Sequence, residues 1–302
     1  MKTNDRQIAD LMNSIQCGKI QLPDFQRGWV WDDNRIKALI ASITNGYPVG
    51  AAMFLEYGNS SIHFKYRVIE GSPSVDKIPD ELILDGQQRL TSVYTSLFSE
   101  NAVNTRTDKG QAIKRFYYID MEKAIDKNID RMDAIVSVPE NRIKTSDFGR
   151  QIDIDLSTSA NEYDKKMFPL NIILSPEKYN KWQMAYMQYY NYDAEAAKLC
   201  MDFVSKVIVP VGKYTIPVIS LDKDTPKEAV CQVFENVNTG GVSLTVFELV
   251  TAVFAMDNFE LRKDWDNRKA KYLSGDLLSI ITATDFLTAC TLLSSYKKRW
   301  DC

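Results

Sequence analysis

Histidine is almost missing from this sequence: His63 is the single one. A histidine-rich metal cluster therefore cannot form, and nuclease chemistry that needs a histidine base together with histidine ligands is excluded within the chain. A Ser-His-Asp triad would have to use His63, which sits in SSIHFKYRVI and reads as an ordinary strand side chain. Cysteine is sparse. Cys17, Cys200, Cys231, Cys290 and Cys302 are odd in number and never spaced as CxxC. This argues against a disulfide framework or zinc knuckle and for reduced thiols in a cytoplasm. No stretch approaches the ~20 apolar residues of a membrane span. The start, MKTNDRQIADLM, has no apolar signal-peptide region, so the expected location is cytoplasmic, off the membrane. Neither charge sign dominates: 37 Lys and Arg stand against 40 Asp and Glu, a net charge of -3. That is not the bulk signature of a nucleic-acid coat, although a local basic patch stays open.

What is present suffices for a packed core: 45% hydrophobic and 25% charged residues over 302 positions, enough for about two domains or one large one. Ile8, Leu11, Met12 and Ile15 recur at helical spacing, predicting a helix over 4–17 with Asn4 and Gln7 as a capping box. KIQLPDFQRGWVW is extended, since Pro23 opposes a helix. Asp32 or Asp33 caps a second helix carrying Ile36, Leu39, Ile40 and Ile43. Strands are expected at 49–57, 62–69, 81–85 and 115–120, with a helix from about Gly86 to Phe98. Residues 121–170 are polar and weakly periodic. From 176 the pattern is mostly helical, interrupted by the strand YTIPVISL; helices are expected near 226–237, 245–257, 259–273 and 284–298. The expected fold class is α+β. It divides into a first domain with a small mixed sheet (1–120), a variable excursion (121–175) and a mainly helical region packing on the first domain (176–302).

The densest chemistry lies in LILDGQQRLTSVY, where a strand meets a helix at Asp85-Gly86-Gln87-Gln88-Arg89. A helix N-terminus exposes unpaired N–H groups and the positive end of the helix dipole, which makes it an anion site. Gly86 lets backbone approach a ligand, Gln87 and Gln88 bring amides, and Arg89 brings a planar fork suited to phosphate. Asp85 can hold magnesium or orient a water. The set suits a nucleoside triphosphate, although the GxxxxGK[ST] spacing of a P-loop is absent. The plainer alternative stays open: Asp-Gly is an ordinary turn, and Arg89 pairs with Asp85.

Two other segments accompany it. LPDFQRGWVW sets Gln26 and Arg27 among Phe25, Trp29 and Trp31; aromatic faces with Arg and Gln can read a base, or be core with a structural Arg. VFENVNTGGVSLTVFEL places Asn238, Thr239, Gly240 and Gly241 between two helices, where backbone N–H groups can wrap phosphate or simply end a helix.

Together, and in this order along nearly the whole of 1–300, these stretches resemble the signature segments of the GmrSD N-terminal domain family, within the ParB/sulfiredoxin-like superfamily. The resemblance implies a component of bacterial anti-phage defence, often a modification-dependent (type IV) restriction system. In such systems this domain binds and hydrolyses nucleoside triphosphates with Mg2+ through DGQQR and controls a nuclease domain, usually of HNH type. Some relatives sense phosphorothioate or glucosylated DNA. Carried over by position, Asp85, Gln88 and Arg89 become catalytic, with Asp85 at the magnesium. Gln26, Arg27, Gly86 and Gln87 bind nucleotide, and Asn238, Thr239 and Gly240 form a second wall. Phe25, Trp29 and Trp31 are the base- or DNA-sensing candidates. An HNH site needs several histidines, so the nuclease is expected on another part of a longer protein or on a separate subunit. Expected partners are thus a nucleoside triphosphate, that nuclease, modified phage DNA and further copies of the chain. Two rival readings are a DNA-modification-sensing module without turnover and a ParB-like nuclease.

Overall fold

The computed structural model describes residues 2–58, 64–147, 150–226, 229–230, 232–233, 246–256, 259–275 and 278–298. The fold is α+β. Its strands are β1 (Lys2–Gln7), β2 (Ile20–Pro23), β3 (Ala52–Glu56), β4 (Tyr66–Arg67), β5 (Glu81–Asp85), β6 (Val103–Arg106), β7 (Ala112–Asp120), β8 (Ile135–Pro139), β9 (Ile143–Ser146), β10 (Gln151–Asp155), β11 (Met167–Pro169) and β12 (Thr215–Leu221). Helices α1 (Ile8–Gln16), α2 (Asp33–Thr44) and α3 (Gln87–Leu97) complete the part that positions the site.

Six strands form one mixed sheet in the order β1-β12-β3-β5-β2-β4. β12 runs parallel to β3 and β5 parallel to β2; the other pairs are antiparallel. β3 and β5 are almost wholly apolar because both of their faces are covered. Successive side chains point to opposite faces. Ala52, Phe54 and Ile83 join the main core with α1, α2 and α3, whereas Met53, Leu55, Leu82 and Leu84 join a second core with Phe25 and Phe64. A second sheet, β11-β7-β6 with β8 on β7, and the β9/β10 hairpin lie beside it. Among the described residues no helix is long and apolar enough to cross a membrane.

The helical spacing of Ile8, Leu11, Met12 and Ile15 is realised: all four are buried in α1. The expected start at Asn4 is not. Residues 2–7 are a strand, paired antiparallel with β12 from Lys2 opposite Ser220 to Gln7 opposite Thr215. These six residues carry no apolar period of their own, so backbone pairing at the sheet edge decides their conformation, and Gln7 makes no side-chain cap. Asp32 does cap α2, accepting from the Arg35 amide at 2.9 Å. The strand expected over 62–69 is confined to β4 among the described residues; His63 lies outside them. The weakly periodic stretch 121–170 holds β8, β9, β10 and β11, strands of three to five residues. Strands so short leave little period to read. Most of the helix expected over 226–237 also lies outside the described residues.

Glu162, 4% exposed, is the most buried carboxylate of this part. It accepts from the Tyr118 hydroxyl and the Trp182 indole N–H, each at 3.0 Å, and lies 3.6 Å from Arg142. Burial raises its pKa above the ordinary carboxylate range, outweighing those three partners. The folded chain therefore keeps this proton to higher pH than the unfolded chain. Its contribution to stability is fullest below the ordinary carboxylate pKa and declines as pH rises through the folded value. Urea midpoints of wild type and Glu162→Gln should show the wild-type advantage shrinking from pH 4 to pH 7. A pH-independent difference would contradict this assignment.

Candidate functional site

β5 ends at Asp85 and α3 begins at Gln87. The one residue between them, Gly86, turns the chain with φ +89° and ψ 3°, a left-handed conformation that L side chains adopt at a cost. A Cβ there would also lie 3.2 Å from the Ala52 Cβ on β3. α3 starts without a side-chain cap, so the free amides of its first turn and the positive end of its dipole face the corner where Asp85 sits.

The side chains of the DGQQR stretch reach for backbone. Gln87 donates from Nε2 to the Arg27 carbonyl at 2.6 Å. The Gln88 amide accepts from the Val30 N–H at 2.9 Å and donates to the Gly28 carbonyl at 3.2 Å. Arg89 donates from Nη1 to the Val49 carbonyl at 2.6 Å, and from Nη2 to the Ala51 carbonyl at 2.8 Å and to Asp85 Oδ2 at 3.1 Å. In return Gln26 donates from Nε2 to the carbonyls of Ile83 (2.7 Å) and Leu84 (3.2 Å) at the end of β5. Two loops, 26–30 and 49–51, are thereby fastened around the strand-to-helix joint. Arg67, held by Glu70 at 3.0 Å, braces the first loop through the Arg27 carbonyl, and Glu70 also accepts from the Trp29 N–H.

The structure thus brings Gln26, Arg27, Asp85, Gly86, Gln87, Gln88 and Arg89 to one corner. Asp85 and Arg89 neutralise each other, as do Arg67 and Glu70. The Arg27 side chain makes no ion pair among the described residues. The three aromatics are not together. Phe25 is buried in the second core with its ring centroid 4.9 Å from that of Phe64. Trp29 and Trp31 are partly buried against the main core, Trp29 donating its indole N–H to Ser92 Oγ at 3.0 Å. Asn238, Thr239 and Gly240 lie outside the described residues. Sequence reasoning missed the 49–51 loop and the Arg67–Glu70 brace. A signal existed for the first: Gly50 in YPVGAA has φ +88°, and a Cβ there would run into the Arg89 guanidinium.

The model of the GmrSD restriction endonuclease N-terminal domain matches residues 8–255, a span that holds both loops and the joint. The chain belongs to this GmrSD N-terminal domain family. An uncharacterized protein of Methanocaldococcus jannaschii is 25% identical over 305 residues, an alignment that covers 95% of this chain and 48% of that protein. The chain therefore spans about half the length of the curated relative it matches. For this GmrSD N-terminal domain two of the resembling stretches, 26–30 and 85–89, interlock at the joint. The motif glutamines and arginine build a frame around Asp85 and the first turn of α3.

Proposed function

We propose that this chain is the nucleotide-responsive part of a modification-dependent restriction system. It binds and hydrolyses a nucleoside triphosphate at the β5–α3 joint and so controls a nuclease carried by another domain or subunit. The observation that supports this best is the joint itself: a carboxylate at a strand end, a left-handed glycine and an uncapped helix start, enclosed by two fastened loops. Such a corner offers N–H groups and a positive dipole end to phosphates. Phosphoryl transfer asks mainly for positioning and charge neutralisation, which needs no histidine. Arg27 supplies the cation that faces developing charge. Arg89, with three hydrogen bonds already made, is a positioning residue that keeps the 49–51 loop in place. Asp85 orients the attacking water.

Magnesium fits this chemistry through one protein donor. The hydrogen bond Asp85 makes among the described residues comes from Arg89, leaving its other oxygen for a ligand. No three His, Cys, Asp or Glu side chains gather into a metal cage among the described residues, so the ion would arrive with the phosphates, whose charge it neutralises when bound. Nucleotide state can reach the C-terminal segments through adjacent residues. Gln26 holds the end of β5, while Phe25 packs in the core that also contains Val230 and, at its margin, Val233 and Ala255. A shift of the 26–30 loop therefore pulls directly on that packing.

The test is phosphate release from ATP, GTP, CTP and UTP with magnesium. Release from at least one is expected; no release and no binding of any would end the reading. Two rivals are separated in the same series. Modification-dependent binding of a duplex at fixed salt, with no phosphate release, would favour a sensing module. Nicking of a plasmid with manganese would favour a nuclease of the ParB/sulfiredoxin-like kind.

A further inference from the structure

A cleft lined by Trp29, Trp31 and the β6–β7 hairpin has no residue of 85–89 in its lining. Its volume is about 800 Å³, within the ~300–1,000 Å³ span of small-ligand sites. One wall is Trp29 and Trp31; the other is the β6–β7 hairpin with Arg106, Lys114 and Arg115, and Glu140 stands at the rim. A smaller recess of about 310 Å³ continues from it past Trp29, Lys114 and Glu140. The walls are tied together, because Thr105 on β6 donates from Oγ1 to the Trp31 carbonyl at 2.8 Å. Trp29 is fixed by its bond to Ser92.

The charge of this cleft runs against that of the chain. Three cations meet one carboxylate, and that carboxylate, Glu140, is already paired with Lys114 at 2.9 Å. Neither Arg106 nor Arg115 has an ion pair among the described residues. A rigid aromatic wall facing unpaired guanidinium groups matches a ligand that is flat and aromatic at one end and anionic at the other. Aromatic side chains stack on bases whatever their identity, and arginine forks match phosphate.

We propose that this cleft binds one nucleotide unit, its base against Trp29 and Trp31 and its phosphate on the cations of the β6–β7 hairpin, at a site separate from the β5–α3 joint. The unit can come as a free mononucleotide or within a single strand, and the two are told apart directly. The full chain is titrated at low salt and without magnesium against AMP by calorimetry, and against a fluorescein-labelled thymidine hexamer by anisotropy. Arg106→Gln and Trp31→Leu should each weaken the bound probe by tenfold or more. Asp85→Asn, at the other site, should leave its affinity within twofold. For the hexamer, Arg106→Gln should also reduce the slope of log affinity against log salt by about one phosphate's worth. Binding of AMP identifies the free nucleotide as the ligand; binding of the hexamer with little AMP affinity identifies a strand. The proposal is overturned if neither probe binds, or if binding survives Arg106→Gln, a hairpin side-chain change that leaves the core untouched. It is equally overturned if Asp85→Asn weakens binding as much as Arg106→Gln does. That last outcome would place the ligand at the joint and leave the hydrolytic reading of Asp85 standing.

Discussion

Asp85→Asn is expected to lower nucleoside-triphosphate hydrolysis by about 10²-fold or more, the scale on which removing a main charge-stabilising group acts, while the protein stays folded. Asparagine keeps the size of the side chain and an oxygen that can accept from Arg89, now at 3.1 Å. The Asp85 side chain is 36% exposed, so water screens the pair and its loss costs no more than about 1 kcal/mol. Turnover and the urea midpoint are measured on the same preparation. A variant that hydrolyses at the wild-type rate removes Asp85 from the chemistry. A variant that loses its midpoint together with its turnover shows that the carboxylate holds the joint rather than serving it.

The second large effect falls on the fold. Arg89→Ala is expected to lower the unfolding free energy by about 3 kcal/mol. Hydrogen bonds to a charged group contribute roughly 1.5–3 kcal/mol each, but water admitted to the emptied corner recovers part of the three that are lost. Arg89→Lys should regain less than half, because one ammonium cannot replace a planar fork bridging two carbonyls and a carboxylate. Gly50→Ala attacks the same contact from the opposite side. It forces alanine to φ +88°, worth about 1–2 kcal/mol, and drives its methyl into the guanidinium. With Arg89 already replaced, Gly50→Ala should cost only the backbone part, so the double variant falls short of additivity by about 1–2 kcal/mol. Denaturation of the four proteins decides it, and strictly additive costs would deny the clamp.

The elements closest to this corner were legible in the sequence for physical reasons. β5 and α3 abut with one glycine between them, so the change from a continuous apolar run to helical spacing marks the joint at Asp85 and Gly86. Asp32 announced α2 by its capping chemistry, and β3 by its apolar run. The pairing of Arg89 with Asp85 stood as the plainer alternative and is present. The acceptors on Val49 and Ala51 were not legible, because backbone carbonyls look alike in every sequence and only the fold brings residue 49 to residue 89. The splitting of the aromatics was hidden for a similar reason. Phe25 and Trp29 are four positions apart, and nothing local says that Pro23 and the turn after it send one to each side of the sheet. Residues 2–7 were misread because their conformation is imposed by β12, more than 200 positions away.

That same strand sets the order of assembly. β12 sits between β1 and β3, so a nascent chain that has emerged only as far as α3 holds two unpaired edges with a gap between them. Residues 215–221 must slide into that gap to complete the sheet, so β3 keeps an open apolar edge until the polypeptide is nearly finished.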